Sequence, residues 1–415
     1  MINNIFKKSI AWLLSQAIIY QIIFIIHQFL LLNYAGFNLY GLSSTIFSFI
    51  YLIIALLLFG FETVITSFMQ KNEAKDLSKK ILAAFYGQLI FNIIGAFFCY
   101  VFLKNILIFF KYGQELYTAI DNLKITIWLS IIFESYHKMI RNLALLLGEA
   151  TKSAIIEFSL LIFYLGFVWG NYYFTKNFTL ESIIQPFFIQ ALLSAIIYTI
   201  IISSKFPRLI CFPCFGNYAL RLQGFIALQA RGIISGNLLS MLTALTFGFT
   251  AASFIKMVSL VVNSLFSLAE KLSLLMLGKL RQEQSLFYLA RYINKVIFFV
   301  WLLVISIFFI YFFYWQNLNN LSDQFPNEIN YWLIIFSYLI LTGVELYSYT
   351  YEKIALAKNY GLLITIIFII STLSLILITK YTLNNSYAIF FYMLTRCAFL
   401  LSFVYYFKKN ILKNY

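Results

Sequence analysis

The chain has 415 residues, of which 62% are hydrophobic and only 11% are charged, and its formal net charge is +15. A soluble globular chain carries roughly 25% charged residues, so this chain has too few charges to cover a surface that faces water. Its apolar runs continue for about 20 residues, which is the length of a membrane-spanning helix and not of a barrel strand. The composition therefore excludes a soluble domain and predicts an all-α integral membrane protein.

The first predicted span follows the short segment Met1–Ser9, which carries Lys7 and Lys8. This span is too long for a cleaved signal peptide and lacks a small-residue cleavage site, so we expect it to stay as an anchor. Hydropathy predicts about 12 transmembrane helices in all. They lie at roughly 10–33, 42–67, 81–103, 125–147, 154–174, 185–203, 225–246, 250–277, 293–314, 330–350, 361–380 and 387–407.

The distribution of Lys and Arg predicts the orientation. If the N-terminus is cytoplasmic, about four times as many basic residues fall on the cytoplasmic side as on the outer side, as the positive-inside rule requires. Both termini are then cytoplasmic, in a multi-pass protein of the bacterial plasma (inner) membrane. The positive net charge is explained as a topology signal, and we predict no nucleic-acid partner.

The longest predicted loop, Ser204–Gly224, divides the spans into six and six. We therefore predict an N-terminal six-helix lobe at 1–210 and a C-terminal six-helix lobe at 211–415, a plan that is common among transporters. Cys211 and Cys214 form a Cys-x-x-Cys motif in this loop. A zinc site would need two more ligands, and both histidines of the chain fall in predicted helices, so no metal or cofactor is predicted.

Cations deep in the membrane are the first candidates for a transport site, because a charge at the bilayer centre costs at least about 2.5–3.5 kcal/mol. Arg396 lies about nine residues into the last span, roughly 13 Å deep. Lys256 and Arg231 lie about 9 Å from the nearer ends of their spans. Depth favours a cavity role for Arg396 and Lys256; the alternative is a buried ion pair with a glutamate that joins two helices.

Span four carries Glu134, His137, Lys138 and Arg141, whose spacing of three and four places them on one helix face. Glu134 and Lys138 are predicted to pair along the helix, either as a structural pair or as part of a substrate site, which leaves Arg141 to face a lumen. His27 is predicted to be an interfacial histidine with a hydrogen bond. For Glu62 and Glu157, an interfacial position or a buried pair is the simpler interpretation.

Several kinds of catalytic chemistry have no residues to support them. The sequence contains no P-loop, so the chain is not predicted to hydrolyse ATP by itself. The longest predicted outer loops, Lys104–Lys124 and Trp315–Ile329, carry few carboxylates, which is little for acid–base catalysis. We therefore predict that the protein is not an enzyme; a membrane-embedded polysaccharide polymerase or transferase is the less favoured alternative.

Three stretches resemble a known family. Tyr40–Ser44, which enters a span running through Gly60–Phe68, looks like the second helix of the polysaccharide transporter family. Phe247–Phe254 resembles the start of its eighth helix, and Arg141–Gly148 the end of its fourth. These are the Wzx-type flippases for lipid-linked oligosaccharides such as O-antigen units, in the multidrug/oligosaccharidyl-lipid/polysaccharide (MOP) exporter superfamily.

The resemblance implies a MOP-like architecture of two six-helix lobes around a central cavity that opens alternately to each side. The implied cargo is an undecaprenyl-pyrophosphate-linked glycan for lipopolysaccharide biosynthesis, and the implied partners are membrane lipids, a polysaccharide polymerase and a chain-length regulator. Cations would neutralise the pyrophosphate as bidentate forks or point charges. The substrate-binding candidates are Arg396, Arg141, Lys256, Lys138 and Arg231. The ion-coupling candidates are Glu62, Glu134 and Glu345. The alternative is another exporter of this superfamily, for drugs or metabolites.

Overall fold

The computed structural model describes most of the first half of the chain and parts of the second. The described residues are 4–62, 64–65, 74–109, 114–203, 222, 249, 252–253, 256, 271–272, 293–299, 301–302, 305–306, 309, 339–341, 343–352, 366, 370 and 386–410. Their regular structure is helical throughout, with no strand among them. The predicted all-α membrane class is confirmed.

The longer helices of this described part are labelled in chain order. They are α1 (Asn4–Leu58), α2 (Ala74–Phe109), α3 (Gln114–Asn122), α4 (Lys124–Leu146), α5 (Ala150–Thr175), α6 (Leu180–Ser203) and α7 (Ser386–Asn410).

Helix α1 consists of two helices joined at a break. Gly36 has φ 79° and ψ 163°, which is outside the helical region. A positive φ of this size is readily adopted by glycine because it has no Cβ. The break falls between the predicted spans at 10–33 and 42–67. A second interruption follows at Phe59 and Gly60, with φ of 30° and 65°.

Four helical stretches of the described residues are long and apolar enough to cross a membrane. They are Ile18–Leu58, Lys79–Phe102, Ala150–Thr175 and Leu180–Ser203. Helices α3 and α4 form a further candidate span as a pair bent by 74°. Most of the later predicted spans lie largely outside the described residues, so the predicted total of twelve stays a prediction.

Exposed apolar side chains cover the outside of these helices, while polar side chains lie inside. On α2, for example, Ile93, Ile94, Phe97 and Phe98 are 46% to 55% exposed, whereas Asn92 is 1% exposed. Such a distribution would be unfavourable in water but is suited to a surface that faces lipid. Polar side chains inside the bundle are therefore the places to look for function.

The chain divides into two compact units, Met1–Met257 and Val258–Tyr415. In the first unit, α4 packs against α1, α2, α5 and α6 and so occupies the centre. It buries one face that includes Glu134, His137 and Arg141. The predicted lobe boundary at 210/211 falls among residues outside the described part and stays a prediction.

A tight turn at Gly148 reverses the chain between α4 and α5. Gly148 has φ 86°, and the amide groups of Gly148 and Glu149 donate to the carbonyl oxygens of Leu145 and Ala144 at 3.0 Å each. This is the usual way to end a helix with a left-handed glycine. It reverses the chain, and α5 then packs against α4.

Gly148→Ala should lower the stability of the first unit by about 1–2 kcal/mol, because a Cβ disfavours the left-handed conformation. No atom lies within 4 Å of the added Cβ, so the cost would come from the backbone alone. Gly166→Ala is the matched control: this glycine also has open space around it, but it lies inside α5 with ordinary helical angles. The thermal unfolding midpoint of the purified protein should fall for the first variant and stay equal or rise for the second. Equal midpoints for both variants would contradict the strain at Gly148.

Candidate functional site

A histidine between two carboxylates forms the centre of the polar interior of the first unit. His137 on α4 places Nδ1 3.1 Å from Glu134 Oε2 and Nε2 2.9 Å from Glu157 Oε1 on α5. All three residues are at most 9% exposed. We call Glu134, His137 and Glu157 the acid–histidine trio.

The trio must hold at least two protons when both contacts are made. A neutral imidazole has one N–H, so it can donate to only one carboxylate. The second contact needs either an imidazolium or a protonated carboxyl group. Loss of one proton would leave one acceptor facing another acceptor in a buried site, which is costly. Gain or loss of a proton by the trio therefore changes which of its contacts can form, and so changes how its three side chains pack. Among the described residues no group of acidic, histidine or cysteine side chains is arranged to hold a metal ion.

Helix α6 contributes a tyrosine to the same site. The Tyr198 hydroxyl lies 3.2 Å from Glu157 Oε1 and 2.6 Å from Ser153 Oγ. The centres of the His137 and Tyr198 rings are 5.5 Å apart. Because Tyr198 is fully buried, any change in the charge of Glu157 acts directly on the contact between α5 and α6.

A second acidic contact lies one turn along α4. Asn142 donates from Nδ2 to Glu62 Oε1. Its Oδ1 accepts from Arg141 Nε at 3.3 Å and from Nη2 at 3.1 Å. Arg141 is thus connected to Glu62 through the Asn142 amide, and the predicted candidates Arg141 and Glu62 belong to one buried network.

Two lysines contact the same stretch of α1. Lys256 Nζ lies 3.3 Å from Ser48 Oγ, and Lys138 Nζ lies 4.6 Å from the centre of the Tyr51 ring. Ser48 and Tyr51 are three residues apart, which is nearly one helical turn. Lys256 is only 8% exposed. We call Lys256, Lys138 and Arg141 the α1 cation group, since the first two contact α1 and Arg141 lies three residues after Lys138 on α4.

In the second unit, Arg396 on α7 is paired with Glu345 on the helical segment 343–352. Arg396 Nη2 lies 2.6 Å from Glu345 Oε1, and each side chain is 1% exposed. A candidate cation and a candidate ion-coupling residue are therefore partners in one buried ion pair. This arrangement favours the structural alternative for Arg396; the predicted cargo and ion-coupling roles of the two residues stay predictions.

The structure gives Glu134 a contact with His137, and the predicted pairing of Glu134 with Lys138 stays a prediction. Both side chains lie on the same helix face as Glu134, at i+3 and i+4, so spacing alone does not choose between them. His27 is 2% exposed and accepts at Nδ1 from Trp169 Nε1 at 3.1 Å, so its predicted hydrogen bond is present, and its predicted depth at the interface stays a prediction. Arg231, Cys211 and Cys214 lie outside the described residues.

Sequence reasoning missed the contact of Glu157 with His137, and the turn at Gly148 could have indicated it. His137 precedes this turn by 11 residues and Glu157 follows it by 9. A helix rises 1.5 Å per residue, so on two antiparallel helices that start at this turn the two positions lie at distances from the turn that differ by only about 3 Å.

Comparison with solved structures identifies the fold. The structure of the MATE multidrug transporter DinF-BH, solved as a complex, superposes with a TM-score of 0.68 over 99% of this chain and 96% of that one, at 11% identity. A point mutant of the Vibrio cholerae MATE transporter VcmN gives a TM-score of 0.65 over 99% of both chains, at 13% identity. The chain has the MATE fold.

Another solved chain with the MATE fold is the outward-facing conformation of a multidrug resistance transporter of the MOP superfamily, with a TM-score of 0.59 over 96% of this chain and 94% of that one, at 12% identity. The predicted MOP-like architecture is therefore confirmed at the level of the fold. No family model matches the sequence, and no curated protein matches it significantly.

Proposed function

We propose that this protein is a multi-pass transporter of the plasma membrane that flips a polyprenyl-pyrophosphate-linked oligosaccharide outward, with both termini in the cytoplasm. The MATE fold supports a transporter of the MOP superfamily and gives no reason to expect an enzyme. The observation that carries the choice of cargo is the α1 cation group. Pyrophosphate is an anion that needs several cationic partners, and this group brings three cations to one stretch of the first unit.

The α1 cation group suits an anionic headgroup for two physical reasons. Lys256 is buried with its Nζ 3.3 Å from Ser48 Oγ, and a phosphate oxygen forms a shorter, stronger hydrogen bond with an ammonium group than a hydroxyl does. Arg141 is positioned by the Asn142 amide oxygen, and a guanidinium suits phosphate because it presents several N–H donors in a planar arrangement. In a site partly shielded from water, each such contact is stronger than at an exposed surface.

The acid–histidine trio supports coupling of this movement to protons. A group that must hold two protons when packed, and that touches α4, α5 and α6 together, links proton binding to helix packing. We assign Glu134 and Glu157 to this role, with His137 between them, and propose that Glu62 adjusts Arg141 through Asn142. Membrane lipids, a polymerase and a chain-length regulator are the proposed partners.

The second candidate function is export of a drug or metabolite cation. Two of the structural neighbours are multidrug transporters, and the buried carboxylates of the trio are suitable partners for a cationic molecule. The two candidates make opposite demands on the α1 cation group: it attracts a pyrophosphate and repels a cationic dye.

Lys256→Met and Lys138→Met should each reduce flipping by about tenfold or more, which corresponds to loss of about 1.4 kcal/mol. The measurement is surface-glycan export in a flippase-deleted strain, read together with the amount of protein in the membrane. Lys176→Met is the matched control, because Lys176 Nζ also lies over a tyrosine ring, 4.4 Å from the centre of Tyr173, but at an exposed helix end. This control should export normally.

Efflux of a cationic rhodamine dye from cells decides between the two candidates. Under the main proposal the protein does not export this dye, and neither lysine variant changes that. The opposite result has two parts: the unchanged protein fails to restore glycan export, and dye efflux persists or rises in Lys256→Met. That result would replace the flippase assignment by drug export.

A further inference from the structure

A cavity of about 700 Å³ lies at one end of the first unit, between α3 and the start of α6. Thr118 and Asn122 of α3 line one side of it, Thr179 and Glu181 line another, and Leu42 of α1 completes the described lining together with apolar neighbours of these residues. We call this cavity the α3–α6 pocket. Among its described lining residues, none belongs to the acid–histidine trio or to the α1 cation group, so it is a separate site.

The predicted topology places this pocket on the outer side of the membrane. Helix α3 lies in the predicted outer loop Lys104–Lys124, and Thr179 and Glu181 lie between the fifth and sixth predicted spans. Leu42 stands at the start of the second predicted span. With the N-terminus in the cytoplasm, all of these positions fall on the side to which an exported glycan is delivered.

Helix α3 is anchored by one face and presents its other face to the pocket. Leu116 and Ile120 are each 1% exposed. Thr118 and Asn122 follow them by two residues, which places them on the opposite face of the helix, and both are exposed. Because α3 is bent by 74° from α4, it does not simply continue that span.

The wall at the start of α6 is also fixed. The amide of Thr179 donates to Ser182 Oγ at 3.0 Å, and the amide of Ser182 donates to Thr179 Oγ1 at 3.2 Å. This is a reciprocal helix cap. Phe178, just before it, is 5% exposed and stacks on Tyr172 with ring centres 4.6 Å apart. The pocket therefore has two walls that are held in place without a ligand.

The polar groups of the pocket suit a ligand that carries several hydroxyl groups. The Glu181 carboxylate accepts hydrogen bonds, the Asn122 amide both donates and accepts, and the Thr179 hydroxyl keeps its proton to donate. Within the described part of the chain, the Asn122 and Glu181 side chains have no hydrogen-bond partner. A sugar ring offers donors and acceptors at neighbouring carbons, so it can satisfy such a set.

Charge argues against a phosphate in this pocket. Glu181 is the one charged side chain among the described lining residues, and it would repel an anion. Two lysines follow or precede the pocket residues in sequence, but each lies over a tyrosine ring: Lys124 over Tyr100 at 4.5 Å and Lys176 over Tyr173 at 4.4 Å. The lining thus differs in kind from the α1 cation group.

We infer that the α3–α6 pocket binds neutral sugar residues of the exported glycan, with Glu181, Asn122 and Thr179 as their hydrogen-bonding partners. Its volume lies within the range of roughly 300–1,000 Å³ that is usual for small-molecule sites. The inference rests on the proposed function and divides the cargo between two places. The α1 cation group takes the pyrophosphate, and this pocket takes sugars.

Binding of a glycan without its lipid measures the pocket directly. The probe is the oligosaccharide repeat unit released from the surface polysaccharide of the source bacterium, which carries no pyrophosphate. Its dissociation constant is measured on the full chain in nanodiscs. Undecaprenyl pyrophosphate without sugar is the second probe, because it reports the headgroup site and the integrity of each variant.

Glu181→Gln and Asn122→Leu should each weaken oligosaccharide binding by about threefold to tenfold, the factor expected from loss of one hydrogen bond or of its charge. Asp121→Asn and Asn177→Leu are the matched controls, because both residues are exposed and neither lines the pocket. These controls should bind the oligosaccharide like the unchanged protein. All four variants should bind undecaprenyl pyrophosphate equally.

Three results have different meanings. Failure of the unchanged protein to bind the oligosaccharide, or equal binding by the pocket variants and their controls, would overturn the sugar site. Binding of rhodamine 6G that Glu181→Gln weakens, with no effect on the oligosaccharide, would also overturn it and make the pocket a cation site. Oligosaccharide binding that depends on the pocket, in a protein that does not restore glycan export, would count against the proposed flippase and leave the sugar site standing.

Discussion

Arg396→Met should sharply reduce the amount of folded protein in the membrane, and adding Glu345→Gln should restore most of it. Each side chain of this ion pair is 1% exposed. Removing the cation leaves a carboxylate buried without its partner, an effect of about 3–5 kcal/mol. Removing both charges leaves no such penalty. The glutamine and the methionine together fill nearly the same volume as the glutamate and the arginine that they replace. The measurement is membrane protein abundance together with the thermal unfolding midpoint.

Lys409→Met is the control for Arg396, because this cation lies on the same helix but is exposed. It should change neither abundance nor stability. If Arg396→Met instead reaches the membrane in normal amounts and loses only transport, the deep arginine contacts the cargo, as its depth in the last span first indicated. Full recovery of transport in the double variant would show that the pair holds helices together and does nothing more.

Glu157→Gln should abolish the dependence of transport on a proton gradient while the protein stays folded. The glutamine NH2 can donate to the unprotonated Nε2 of a neutral His137, and the glutamine oxygen can still accept from Tyr198, so the packing of α4, α5 and α6 is kept. The negative charge is lost, and the acid–histidine trio then makes both of its contacts with one proton fewer. We expect gradient-driven transport in proteoliposomes to fall by about tenfold or more, or about 1.4 kcal/mol.

Glu149→Gln is the matched control for Glu157. Glu149 stands at the start of α5 and contacts Lys152 at 3.2 Å, and that lysine is 57% exposed. Exposed pairs of this kind contribute little, so the variant should transport like the unchanged protein. A Glu157→Gln protein that keeps the same response to the proton gradient would remove the trio from ion coupling.

The helical spans of the first unit could be predicted because each depends on local sequence. A long apolar run crosses the membrane, and a residue such as Gly36 or Gly148 interrupts it. The same local signal placed Glu134, His137 and Arg141 on one face of α4. These predictions rest on helical geometry, which is the same in lipid and in water.

The partners of the charged side chains could not be predicted in the same way. Lys256 and Ser48 are 208 residues apart in sequence, and nothing in either local pattern indicates their contact. Glu134 has His137 at i+3 and Lys138 at i+4 on the same face, and the contact of His137 with Glu157 on α5 could not be read from that spacing. Arg396 could be placed deep in the membrane, but its pairing with Glu345 depends on how two distant helices pack.

The central position of α4 has a consequence for how the protein is made. Among the described helices, α4 has the apolarity of a span only when it is counted together with α3. Each of its charges at mid-membrane opposes entry from the translocon into lipid by about 2.5–3.5 kcal/mol. The partners that balance these charges include Glu157 and Tyr198, which are synthesised later, on α5 and α6. We therefore expect α4 to remain beside the translocon until those helices arrive, so that the helices of the first unit enter the bilayer together.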